Sequence, residues 1–149
     1  MLFGRPLPIC IVVPNTGLGR AIPRRMIQTV RLINHLALAV ADPSRSLRFY
    51  RDTLGVEGSV RQEEYGFVMT IPNGVAFTLF RGTPPEEVGE FHFGLALATS
   101  DEVRSIRQRS HELALEEVEW WDEPGYVSMK VRDPDGYIVE IAWDAKHVT

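Results

Sequence analysis

The chain of 149 residues has the length of one ordinary domain, is 44% hydrophobic and 24% charged, and carries a net charge of −4. No apolar run approaches the ~20 residues that a membrane-spanning helix requires, and the single cysteine, Cys10, can form neither an intramolecular disulfide nor a thiolate metal centre. Residues 1–30 contain Arg5, Arg20, Arg24 and Arg25 and no acid, so the negative excess falls on the remainder, which argues against a nucleic-acid-binding body.

Residues 1–29 are rich in proline and glycine and show no sustained period. They read as a basic, flexible arm ahead of a domain at 30–149, with Met26 as an alternative start of "MIQTVRLINHLALAV". Pro6, Pro8 and Pro14 break the apolar patch that a signal peptide would need. The lone cysteine suits a reducing cytoplasm.

Next along the chain, "LINHLALAVADP" places His35 at the head of an apolar strand. "ADPS" then opens a helix, with Asp42 as its cap and Pro43 at its first position. Leu47, Tyr50, Arg51 and Leu54 mark one face of that helix, and Gly55 ends it. Three extended runs follow, near Val56–Glu64, Gly66–Ile71 and Gly74–Arg81. "FHFGLALA" repeats the opening strand with His92 at its head, and "TSDE" opens a second helix capped by Thr99 or Ser100. Val103, Ile106, Ser110 and Leu113 mark one of its faces. Runs near Leu115–Asp122, Tyr126–Arg132 and Tyr137–Asp144 complete the chain.

The two halves therefore repeat, and their closing turns "IPNG" and "DPDG" match as proline-containing turns that end in glycine. Neither half can bury a sheet alone. The reading is an α+β fold of two βαβββ modules, about 31–82 and 90–144, whose curved sheet surrounds a cavity with the helices outside.

The repeat pairs His35 with His92, and Thr78 with Glu140 on the two last strands. Glu140 in "YIVEIAW" is costly to bury unless paired or metal-bound, though alternation can equally point it at solvent. Each histidine alone reads as a hydrogen-bonded structural residue rather than a ligand. Taken together, two histidines and one carboxylate are the donor set of a metal face that leaves positions open for substrate. Thr78 is a poor ligand and reads as a cavity wall. Phe67, Met69, Phe77, Trp120, Trp121 and Tyr126 are the apolar surfaces available to line the cavity or to pack the core. Adjacent Trp120 and Trp121 must face opposite ways, and Trp120 is assigned to the cavity with Phe67 and Met69. Such walls favour a small aromatic or amphipathic ligand.

"INHLALAVADPSRSLRFYRDTLGV", "FHFGLALA" and "VRDPDGYIVEIAWD" resemble the vicinal oxygen chelate superfamily over about residues 31–144. That superfamily includes glyoxalase I, extradiol dioxygenases, fosfomycin-resistance enzymes, methylmalonyl-CoA epimerase and bleomycin-binding proteins. The resemblance implies paired modules around a divalent metal held by His35, His92 and Glu140. Thr78 stands where glyoxalase I typically adds a glutamate, and Arg81 and Lys130 are a thin cationic nest for a fosfomycin-type enzyme. The three-ligand pattern is most similar to the extradiol dioxygenases. It implies Fe(II) or Mn(II), a catechol-like substrate with vicinal oxygens, and Tyr126 as an acid–base helper. The alternatives are a metal-free drug-binding protein of the bleomycin-resistance type and a glyoxalase-like isomerase. His111 reads as solvated and His147 as frayed. A homodimer is implied by resemblance alone.

Overall fold

The structure, a computed structural model, describes residues 33–146. The arm at 1–29, Cys10, Met26 and His147 lie outside the described residues.

The first module runs β1 (His35–Val40), α1 (Pro43–Arg48), a π-helical segment (Phe49–Thr53), β2 (Ser59–Glu63), β3 (Gly66–Thr70) and β4 (Ala76–Arg81). The second runs β5 (His92–Ala96), α2 (Ser100–Glu112), β6 (Glu117–Glu123), β7 (Tyr126–Arg132) and β8 (Ile138–Asp144). Each module is a four-stranded mixed sheet, in the orders β1-β4-β3-β2 and β5-β8-β7-β6. The first strand of each lies parallel to the last, and the other pairings are antiparallel. The βαβββ repeat read from the sequence is the fold. Among the described residues the two halves nevertheless form two sheets rather than one, with β1 and β5 as edge strands.

Local chemistry sets the element ends. The Asp42 carboxylate accepts from the Ser44 and Arg45 amides, and Pro43 occupies the first turn, where no amide is needed. Thr99 and Glu102 exchange hydrogen bonds in a capping box that starts α2. In "IPNG" and "DPDG", Gly74 and Gly136 take φ of 85° and 92°, the left-handed region that closes both turns. The helix expected to run on from Pro43 widens at Phe49–Thr53, where the Leu54 amide bonds the Phe49 carbonyl. The wider turn lets the consecutive rings of Phe49 and Tyr50 both stay buried.

Alternation then sorts the strands. Leu38, Val40, Met69, Phe77 and Leu79 of the first sheet, and Val127, Met129, Val131, Val139 and Ile141 of the second, enter one core with Tyr50 and Val103. Phe93 joins the modules, its ring 6.4 Å from Tyr50 and 5.9 Å from Phe77. The "DPDG" turn plugs into the start of α1. Asp135, almost fully buried, accepts from the Ala41 amide at 2.9 Å, the Arg45 guanidinium at 2.9 Å and the Ser46 hydroxyl at 2.7 Å. The Tyr137 hydroxyl donates to the Ala39 carbonyl at 3.0 Å. These ties hold the modules together through their helix-covered sides, so the opposite face of each sheet is left open.

Candidate metal centre

The register assigns every candidate residue to a face. In the first sheet, His35 pairs with Ala76, and Ala37 with Thr78, so His35 and Thr78 share the open face. Phe67 and Met69 pair with Leu79 and Phe77 and point the other way, Met69 into the core and Phe67, half-buried, toward Pro43 at the start of α1. Met69 is 1% exposed. In the second sheet, Gly94, Glu140, Lys130 and Glu119 form one cross-strand row on the open face, and His92 stands two residues before Gly94 on the same face. Trp120 pairs with Met129 and lies on the helix side, its ring 4.3 Å beneath the Arg107 guanidinium. Trp121 is the tryptophan of the open face, paired with Ser128. Phe67, Met69 and Trp120, read as cavity walls, thus lie on the helix-covered faces, because the pleat fixes which member of each adjacent pair faces inward.

His92 and Glu140 meet, with Nε2 and Oε2 3.4 Å apart. The His92 Nδ1 lies 2.9 Å from the Glu90 carbonyl oxygen, which can only accept, so Nδ1 carries a proton. Neutral His92 therefore turns an unprotonated Nε2 toward a carboxylate oxygen: two acceptors face each other across 3.4 Å. A proton on Nε2 or a metal ion between them would answer both lone pairs. The spacing exceeds the ~3.2 Å limit of an ordinary N–H···O bond. Two ligand atoms each about 2.1 Å from one ion at a tetrahedral angle lie about 3.4 Å apart. The residues fit a divalent ion.

His35 is prepared in the same way. Its Nδ1 is 2.8 Å from the Asn34 amide oxygen, which leaves Nε2 as a lone-pair donor. It stands on the other sheet, however. No group of three His, Cys, Asp or Glu side chains able to hold a metal occurs within one chain among the described residues.

The other Glu140 oxygen is occupied. Oε1 accepts from the Tyr126 hydroxyl at 2.7 Å and from the Ser128 hydroxyl at 2.6 Å. Burial, then the hydrogen bond and charge of Glu140, push the Tyr126 phenol above its ordinary value, so it remains a protonated donor. Ser128, Glu90 and Asn34 are site residues that the sequence reading missed. Each acts through a hydrogen bond set by register or loop shape, and only Ser128, a polar residue within "YVSMKV", left a mark in the pattern.

Beside His92 lies a recess of about 440 Å³ lined by Glu119, Lys130, Arg132 and Ile138. Its walls are more charged than the aromatic cavity expected. A larger cleft, about 660 Å³, runs between Leu54–Glu57 and the Gly94–Ala98 edge of β5 and includes neither His92 nor Glu140. His111 bonds Glu117 at 2.7 Å on the α2 side, away from the open face.

The profile of the Glyoxalase/Bleomycin resistance protein/Dioxygenase superfamily matches residues 32–141. The chain belongs to this superfamily. Among solved structures it is similar to a possible glyoxalase from Bacillus cereus, with 26% identity, a TM-score of 0.64 and coverage of 75% of this chain and 98% of that one. It is also similar to the oxidase ChaP-H2, with 28% identity, a TM-score of 0.60 and coverage of 78% and 94%. Lactoylglutathione lyase from Agrobacterium tumefaciens, 23% identical with a TM-score of 0.61 over 77% and 95% of the two chains, shares the fold. No curated protein matches the sequence. No helix among the described residues is long and apolar enough to cross a membrane.

Proposed function

We propose that the protein is a metal-dependent enzyme acting on a small molecule with two vicinal oxygens, by dioxygenase-type chemistry with Fe(II) or Mn(II). The facing acceptors His92 Nε2 and Glu140 Oε2, 3.4 Å apart, carry this reading. Its support from relatives is superfamily membership and the likeness to an oxidase above 25% identity. The bound ion would act as a Lewis acid on both substrate oxygens and leave a position for dioxygen. Glu140 supplies the negative charge, and Tyr126 and Ser128 hold its far oxygen. The Glu90 carbonyl keeps the His92 ring turned with Nε2 toward Glu140 Oε2, where the two atoms would hold an ion. A single cysteine suits work in a reducing cytoplasm.

The third ligand comes from a second copy. His35 lies on the open face of one sheet, and His92 and Glu140 on that of the other. Among the described residues β1 and β5 each bond a neighbour on one side only, which leaves two edges for pairing. Trp121, on the open face, is 46% exposed. A twofold homodimer that lays the first open face over the partner's second face builds two equivalent sites.

The test is metal content after anaerobic purification, for wild type, His35→Ala and His92→Ala, followed by oxygen uptake with catechols. About one Fe or Mn per chain in the wild type, lost in both variants, is the expected result. A wild type that takes up none of Fe(II), Mn(II), Ni(II) or Zn(II) overturns the enzyme reading in favour of a metal-free binding protein.

A further inference from the structure

Glu140 presents its two oxygens to different chemistry. Oε1 takes both hydroxyls, at 2.7 and 2.6 Å, and Oε2 takes none of that pair and faces His92. Both donors stand on β7, where Tyr126 is opposite Asp144 and Ser128 is opposite Ala142, so they reach back diagonally along β8 to the same atom. Ser128 is fully buried. The residue directly opposite Glu140 is Lys130, whose ammonium is paired with Glu119 on β6. The hydroxyls orient the carboxylate without cancelling its charge, as an ammonium would. They also occupy both lone pairs of Oε1.

We propose that Tyr126 and Ser128 form a two-hydroxyl clamp that restricts Glu140 to ligation through Oε2 alone. This rests on the metal reading above. One-oxygen ligation keeps a coordination position free, which a substrate binding through two oxygens needs. Tyr126 is on this assignment a positioning residue rather than the acid–base helper expected of it, because its proton is committed to Glu140.

The test uses Co(II), whose visible absorption reports coordination number, titrated into wild type, Tyr126→Phe, Ser128→Ala and the double variant. Melting temperatures check that each variant is folded, and crystal structures of the metal-free wild type and double variant locate the Glu140 carboxylate. The double variant is expected to bind Co(II) about 10–100-fold more weakly, the usual cost of losing groups that orient a ligand, with a changed visible band as Oε1 is released. The carboxylate is expected to turn. Equal affinity and an unchanged band in wild type and double variant overturn the clamp. Should the wild type bind no Co(II), the metal reading falls on its own, and the two metal-free structures then decide: a turned carboxylate supports the clamp, an unmoved one overturns it.

Discussion

The Tyr50 hydroxyl donates to Asp133 Oδ2 at 2.6 Å, a buried bond between residues 83 positions apart and in different modules. Burial and the Asp133 charge raise the Tyr50 phenol far above its ordinary value, so it stays a donor throughout the physiological range. Tyr50→Phe keeps the ring and strands one carboxylate oxygen, Asp133 Oδ2, while Oδ1 keeps the Asp135 and Tyr137 amides. The expected loss is about 1.5–3 kcal/mol, the range for a hydrogen bond to a charged group. Urea unfolding of the variant checks it.

Asp133 itself is pushed upward from 3.8, chiefly by burial, against the hydrogen bonds of Tyr50 and the Asp135 and Tyr137 amides. The folded protein thus binds this proton more tightly than the unfolded chain does. The stability contributed by Asp133 is full below 3.8 and is lost as pH rises through the raised folded value. Asp133→Asn should remove that decline. Urea midpoints of wild type and variant from about pH 3 to 7 should converge at the acidic end and separate above it. Parallel curves would exclude the effect.

Complementation tests the shared site. His35→Ala and His92→Ala, unfolded and refolded together, should recover about a quarter of the wild-type metal content, because half the dimers are mixed and each mixed dimer has one intact site. Separately refolded variants should recover none. A mixture as empty as its components would overturn the shared site.

Gly94 borders the candidate centre, and a Cβ built there lies 3.8 Å from Glu140 Oε2, an ordinary contact. Gly94→Ala should therefore bind metal as the wild type does. Gly94→Val adds methyl groups beside Oε2 and should weaken Co(II) binding about tenfold or more. Its melting temperature should hold or rise, since valine suits a strand better than glycine.

On the far side of the second sheet, Arg107 covers Trp120 and bonds Glu117 at 2.8 Å. That hydrogen bond is the main reason the Glu117 carboxyl is held below its usual range, so its contribution is present at neutral pH and is lost as pH falls through the lowered value. Arg107→Ala should cost about 0.5–1 kcal/mol at neutral pH, the scale of a partly exposed cation–aromatic contact. The difference should shrink in acid, as thermal melts across that range would record.

The repeat, both helix caps and the two glycine turns were legible in the sequence because each is local: Asp42, Thr99, Gly74 and Gly136 act within a few residues of themselves. Pairing His35 with His92 was legible as well, since both head equivalent strands. The inward or outward sense of Phe67, Met69 and Trp120 was not. It depends on a one-residue phase in the pleat, and aromatic or apolar neighbours on both sides, as in "WW", leave that phase undetermined. Ser128 was hidden for a related reason: its bond to Glu140 follows from the β7–β8 register. Asp133 and Asp135 were visible as a turn, but their reach into the first module is a tertiary fact that no turn signature contains.

That reach bears on the order of synthesis. While the first module emerges from the ribosome, the Tyr50 hydroxyl and the Ala39 carbonyl lack the partners they have in the finished fold, and the Ser46 hydroxyl has the Asp42 carbonyl but not Asp135, because Asp133, Asp135 and Tyr137 have not been made. The amino-terminal half acquires its final interior only when the last turn of the carboxyl-terminal half closes over it. A ribosome stalled before Asp133 holds a chain in which neither half is finished, so the gene cannot be shortened to one module without exposing the polar groups the other was built to answer.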